Sequence, residues 1–209
     1  MSKEKEIKTN AMRLLDKKKI PYRVVQYDCD AFTDGVTTAQ HSGIPAERSF
    51  KTLVTQGKSG NYCVFVIPVA LELDLKAAAR AVGEKSVEMI HVKDINKVTG
   101  YIRGGCSPLG MKKQYKTVLD IHAEAFDEIA VSGGRIGSTI LLSPKDLALA
   151  VQAKTAAVTM PEKDCPYPYE VLTGEQIEKK LEVSRIHAEQ GNLLPADEVL
   201  ADKRERYGL

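Results

Sequence analysis

The 209-residue sequence predicts an α+β fold built on a mostly antiparallel or mixed sheet. Two hairpins carry this expectation. Lys51-Thr-Leu-Val-Thr55 and Asn61-Tyr-Cys-Val-Phe-Val-Ile67 are apolar, β-prone runs joined by the turn residues Gly57-Lys-Ser-Gly60. Glu128-Ile-Ala-Val-Ser132 and Ser138-Thr-Ile-Leu-Leu142 are joined in the same manner by Gly133-Gly-Arg-Ile-Gly137. The helical segments fall between these strands without the regular strand–helix–strand alternation of a doubly wound sheet.

In chain order, residues 4–19 read as a helix. Ile7, Ala11, Leu14 and Leu15 recur at helical spacing and form one apolar stripe, and Pro21 stops it. Tyr22–Tyr27 reads as a strand. Thr33 or Asp34 caps a short helix over 36–42 that ends at Gly43. After the first hairpin, Asp74 caps LKAAARAV and Gly83 closes it. A short strand over 86–90 and a short helix over 92–98 follow. GYIRGGCSPLG (100–110) is too rich in Gly and Pro for regular structure. Thr117–Ile121 reads as a strand. Ser143-Pro144 opens a helix after the second hairpin, and 156–159 reads as a last strand.

A boundary falls near MPEKDCPYP (160–168), which has three closely spaced prolines. Beyond it, Thr173 caps one helix, Gly191 ends it, and a second helix follows Pro195. The expected organisation is a body over 1–159 and a C-terminal helical extension over 160–209. The extension is too small to fold alone and must dock on something.

Composition narrows the function classes. The chain is 43% hydrophobic and 28% charged, which suits a globular protein. No apolar run approaches the roughly 20 residues of a membrane span, and the charged N-terminus does not resemble a secretory leader. Cys29, Cys63, Cys106 and Cys165 form no CxxC pair, and His41, His91, His122 and His187 are scattered. Reduced thiols and a cytoplasmic location are therefore expected, with neither metal nor cofactor. Residues 1–159 carry 23 Lys/Arg against 17 Asp/Glu, whereas 160–209 carry 7 against 11. The basic body is compatible with a polyanion such as RNA, and the extension is acidic.

No nucleophile elbow, phosphate-binding loop or dinucleotide fingerprint is present. Lys51 opens an apolar strand. It is either a solvated strand-end lysine or a cation that holds a carbonyl oxygen or phosphate. Gly104 and Gly105 are either a tight loop or a wall of amide donors near Arg103, Lys112 and Lys113. Cys106 and Ser107 resemble nucleophiles, but no base accompanies them. The 132–137 turn is either a plain hairpin turn or a second pocket edge bearing Arg135. Tyr27 and Tyr101 either fill the core or contact a ligand.

Taken together, TNAMRLLDKKKIPY, SFKTLV, GYIRGGCSPLG followed by a lysine pair, and SGGRIG followed by SPKDL resemble the YbaK/EbsC family of bacterial aminoacyl-tRNA deacylases. Four motifs in order make the resemblance specific. It spans about residues 8–158 and leaves the extension outside. It implies a compact α+β domain around a mixed, barrel-like sheet, similar to the editing domain inserted in bacterial prolyl-tRNA synthetases. It also implies hydrolysis of mischarged aminoacyl-tRNA, with Cys-tRNA(Pro) the expected substrate and prolyl-tRNA synthetase a plausible partner. By motif, Lys51 is the expected catalytic residue. Tyr27, Thr52, Tyr101, Gly104, Gly105, Ser107, Gly134 and Thr139 are the expected substrate-binding residues. Thr139 stands where some members carry an Asp, so no carboxylate is expected there. In the cysteine-specific members the substrate's own thiol attacks its carbonyl, which would remove the need for a catalytic triad.

Two other readings follow from the sequence. Within the fold, the pocket clears alanyl or another small aminoacyl group. Outside it, the body is a non-catalytic RNA-binding or regulatory module, and GNLLPADEVLADKRERYGL loosely resembles the end of RelB-type antitoxins.

Overall fold

Asp74 shows how locally this chain specifies its helices. Its carboxylate accepts from the amides of Lys76 and Ala77, which otherwise lack intrahelical partners, and Gly83 closes the helix at φ +72°. Ser143 does the same for a helix with Pro144 at its first position. Thr9 caps the first helix, with its hydroxyl accepting from the Met12 amide. In the computed structural model, residues 8–28 and 35–160 are described. The expected caps Thr33 and Asp34, the turn at Ile7 and the extension beyond residue 160 lie outside them.

The helices are α1 (Asn10–Lys18), α2 (Gly35–Ser42), α3 (Leu75–Val82), α4 (Val92–Thr99) and α5 (Pro144–Val151). The strands are β1 (Arg23–Gln26), β2 (Phe50–Gly57), β3 (Tyr62–Pro68), β4 (Val87–Met89), β5 (Lys116–Asp120), β6 (Ile129–Ser132), β7 (Ser138–Leu142) and β8 (Lys154–Ala156).

The strands form two sheets. One is three-stranded and antiparallel, in the order β1-β7-β6. The other is five-stranded and mixed, in the order β4-β2-β3-β5-β8, with β3-β5 and β5-β8 parallel. The α+β class holds, but the barrel-like sheet is corrected: among the described residues there is no closed barrel. Among the described residues an isolated bridge, Ser49 to Ala130, links the two sheets. The last strand is also corrected, from 156–159 to Lys154–Ala156. Its register is set by parallel pairing with Val118–Asp120, a non-local constraint that the local sequence does not carry. Thr159 instead bridges Leu73.

The core sits on both sides of β3. Met12, Leu15, Val66, Leu119, Ile129, Ile140 and Leu147 pack in one cluster. Phe65, Ile67, Ala78, Val82 and Val118 pack in another. The alternation of Phe65 and Ile67 with Val66 sends side chains to both faces, which explains why the strand reads as continuously apolar. Among the described residues, no helix is long and apolar enough to cross a membrane.

Candidate functional site

A cavity of about 440 Å³ lies where the two sheets approach each other beside α2 and α4. Strand β2 supplies Phe50 through Val54, and the second hairpin supplies Ala130–Ser132, Ser138 and Thr139. Tyr27, Arg103, Gly104 and Cys106 come from loops, and Val92 and Ile95 from α4. Of the nine site residues expected from sequence, five line this cavity: Tyr27, Lys51, Thr52, Gly104 and Thr139. Tyr101, Gly105, Ser107 and Gly134 do not.

Lys51 is the second residue of β2 and its side chain is about one quarter exposed. Its Nζ donates to Glu72 Oε1 at 3.0 Å, which orients the ammonium and leaves two further donors. Sequence reasoning missed Glu72. It lies 21 residues away in a loop after β3, and no spacing rule connects the two. That loop is itself held: the Met160 amide donates to the Glu72 carbonyl at 2.9 Å, and the Asp74 amide donates to the Val158 carbonyl at 2.8 Å.

Thr52 Oγ1 is buried without a hydrogen-bond partner among the described residues. Thr139 is buried and pairs with Ser132 across the hairpin and with Val25 of β1. No Asp, Glu or His is among the described residues lining the cavity; Lys51 and Arg103 are its charged groups. Glu72 offsets the Lys51 charge from outside the lining, and the ammonium's remaining donors suit an oxyanion or a phosphate oxygen. No group of three or more His, Cys, Asp or Glu is placed to hold a metal among the described residues.

The glycine loop divides its residues between two tasks. Gly104 takes φ +82°, a left-handed conformation that favours glycine, and lines the cavity. The Gly105 amide donates to the Ile102 carbonyl at 3.0 Å and is already satisfied. A Cβ on Gly105 would stand 3.0 Å from the Arg135 backbone, so its absence lets the loop meet the 133–137 turn. Gly134, at φ +95°, leaves room for the Tyr101 ring, which a Cβ would approach to 2.9 Å. Tyr101 is buried and donates its hydroxyl to the Leu109 carbonyl at 2.6 Å. Burial pushes its phenol up to about 12. Ser107 Oγ accepts from the Leu109 amide at 3.3 Å, inside the loop.

The same seam receives α1. The Thr9 hydroxyl that caps the helix also donates to the Gly133 carbonyl at 2.6 Å. Gly110, at φ +66°, lies so close to Asn10 that a Cβ would fall 2.6 Å from its carbonyl. Tyr27 joins through its amide, which donates to the Gly137 carbonyl at 3.1 Å.

Cys106 lines the cavity, but burial pushes its thiol up to about 11. The group is neutral at physiological pH, and among the described residues lining the cavity there is no base to ionise it.

The two-sheet α+β body thus carries a cavity whose charged lining groups, among the described residues, are Lys51 and Arg103. Residues 33–149 match the aminoacyl-tRNA editing domain family, and the chain belongs to it. Among its relatives is the Enterococcus faecalis protein named "Putative Cys-tRNA(Pro)/Cys-tRNA(Cys) deacylase EbsC". The two are 43% identical over 164 residues, covering 78% of this chain and 100% of that one. The Bacillus subtilis protein YwhH is 26% identical over 110 residues, covering 53% of this chain and 69% of its own. The fold matches the crystal structure of "a putative trans-editing enzyme for prolyl tRNA synthetase". The TM-score is 0.66 at 24% identity, covering 73% of this chain and 96% of that chain.

Proposed function

We propose that this editing-family deacylase hydrolyses mischarged aminoacyl-tRNA in trans, with Cys-tRNA(Pro) its substrate and prolyl-tRNA synthetase the protein that presents it. Membership of the editing family supports the ester chemistry, and the 43% identity to EbsC supports the cysteinyl preference. The observation that supports the mechanism is the lysine-bearing cavity, among whose described lining residues there is neither carboxylate nor imidazole. Such a cavity suits a substrate that brings its own nucleophile.

In this reading the cysteinyl thiol passes its proton to water, from which the ribose oxygen later takes one, and its sulfur attacks the carbonyl carbon of the same residue. The carbonyl oxygen takes the negative charge, and the bond from carbon to the ribose oxygen then breaks. The ribose oxygen takes up a proton, the tRNA leaves with its hydroxyl restored, and the amino acid leaves as a thiolactone that water opens. Lys51 holds the ester by its two remaining donors. Among the described residues, the amides of Gly104 and Cys106 have no hydrogen-bond partner and are the loop donors for the oxyanion. Tyr27, Thr52 and Thr139 shape the seat of the amino acid.

The test is hydrolysis of Cys-tRNA(Pro), Ser-tRNA(Pro) and Ala-tRNA(Pro) by the full chain. The seryl ester replaces only the sulfur by oxygen. Clearance of the cysteinyl ester at least about 100-fold faster than the other two supports the thiol-assisted route. Equal clearance of the alanyl ester would replace it with a deacylase for small aminoacyl groups. Clearance of none would remove the enzymatic reading.

A further inference from the structure

The cavity holds an aminoacyl group and little more, so most of a tRNA must be gripped elsewhere. Helix α4 borders that second place. Its Val92 and Ile95 line the cavity, and its Lys97 and Val98 line a separate depression of about 590 Å³. Four lysines line the depression, Lys97, Lys112, Lys113 and Lys116, and no carboxylate does.

Two of these ammonium groups are fixed. Lys112 donates to the carbonyls of Asn96 and Lys97 at 3.0 and 3.3 Å, at the C-terminal end of α4. Lys116 donates to the Val82 carbonyl at 3.1 Å, at the end of α3. Cations at helix C-termini are held by the exposed carbonyls and the helix dipole. Lys97 and Lys113 are exposed beside them. Tyr62 and Tyr115 meet edge to face at 6.2 Å and 87°, and the Tyr115 hydroxyl donates to the Val98 carbonyl at 2.7 Å. The floor between the lysines is therefore braced. Lys93 stands one turn before Lys97 and on the same side of α4, towards the end that meets the cavity. The acidic neighbours Glu88 and Asp94 line an adjoining depression with Lys58 and His91, which meets this one at Gly60 and Tyr62.

We propose that the Lys97–Lys112–Lys113–Lys116 depression seats the phosphate backbone of the tRNA while the charged 3′ end occupies the cavity across α4. This rests on the deacylase reading and extends it from the ester to the nucleic acid. Among the described residues no carboxylate lines the depression; Glu84 interacts with Lys116 from outside it and leaves Lys97, Lys112 and Lys113, of which Lys112 is pre-positioned. A polyphosphate backbone gains most from that arrangement, through release of condensed counterions. A protein partner would need an apolar anchor at the centre of the patch, and the lysines surround a tyrosine pair already tied to the fold.

The experiment uses the full-length protein and the double variant Lys97→Gln/Lys113→Gln, which leaves the two helix-capping lysines in place. Binding of uncharged tRNA(Pro) is followed by fluorescence anisotropy across a salt series. The expected result is affinity weakened about tenfold and the slope of log K against log salt reduced by about 1.5. Hydrolysis of the cysteinyl ester of a short 3′-terminal oligonucleotide is measured alongside and is expected to match wild type. Unchanged affinity and slope for uncharged tRNA would overturn the proposal and leave an acidic protein surface as the partner. Equal losses on the short ester would also overturn it, because they would mark a structural effect. If neither protein hydrolyses any ester, the deacylase reading fails while the binding measurement still decides the depression.

Discussion

Lys51 on β2 and the Tyr101–Gly110 stretch both reach the cavity but are built on opposite terms. Lys51 reaches an open cavity and is tied by one ion pair to a partner that is itself about 41% exposed. The stretch is mostly closed: Tyr101, Gly105, Ser107 and Leu109 are buried, and Arg103, Gly104 and Cys106 are left to line the cavity. The difference separates chemistry from placement. A residue of the first kind can be removed with little cost to the fold. A residue of the second kind holds α1, the loop and the 133–137 turn in register and cannot.

The sharpest way to break this distinction is Lys51→Ala. Deacylation is expected to fall by about 100-fold or more, the scale of a lost oxyanion-stabilising group. Thermal unfolding is expected to change by under about 1 kcal/mol, because the Glu72 pair is partly exposed and screened. A large loss of stability would show that Lys51 belongs with the scaffold. Gly110→Ala should behave in the opposite way. It places a Cβ against the Asn10 backbone in a left-handed conformation, and a loss of about 2–4 kcal/mol in denaturant unfolding is expected. Full stability in that variant would remove the seam from the argument.

Tyr101→Phe is milder. It deletes only the hydroxyl that donates to the Leu109 carbonyl, and about 1–2 kcal/mol of stability should go with it. A fall in kcat without that destabilisation would move Tyr101 from placement to chemistry. The smallest effect concerns Cys106. Because burial holds its thiol near 11, the neutral form prevails at pH 7 and the thiolate fraction grows as the pH approaches that value. Alkylation followed by mass spectrometry at Cys106 should be slow at pH 7 and accelerate up to pH 9–10 while the fold persists. Fast, pH-independent labelling from pH 7 would show an activated thiol in the cavity.

Local chemistry made much of this structure legible. Asp74 and Gly83, Ser143 with Pro144, and the turn after Gly57 act within a few residues, so their signals survive in the bare sequence. The parallel pairing that fixes β8 does not, because Val118 and Lys154 are partners only once the chain has folded. The division of labour inside the glycine loop is hidden for a similar reason. Gly104 and Gly105 are identical letters, and only the neighbouring Arg135 backbone distinguishes the one that faces the cavity from the one that packs. Glu72 was invisible because a surface acid in a loop has no spacing signature, and its meaning comes wholly from Lys51.

The hydrogen bonds around Glu72 also make the end of the body a mechanical linkage. The last described residues, Val158 and Met160, hold the loop at Asp74 and at Glu72 itself, the counter-ion to Lys51. A displacement of Met160 is therefore passed to the Lys51 ammonium through one main-chain hydrogen bond and one ion pair.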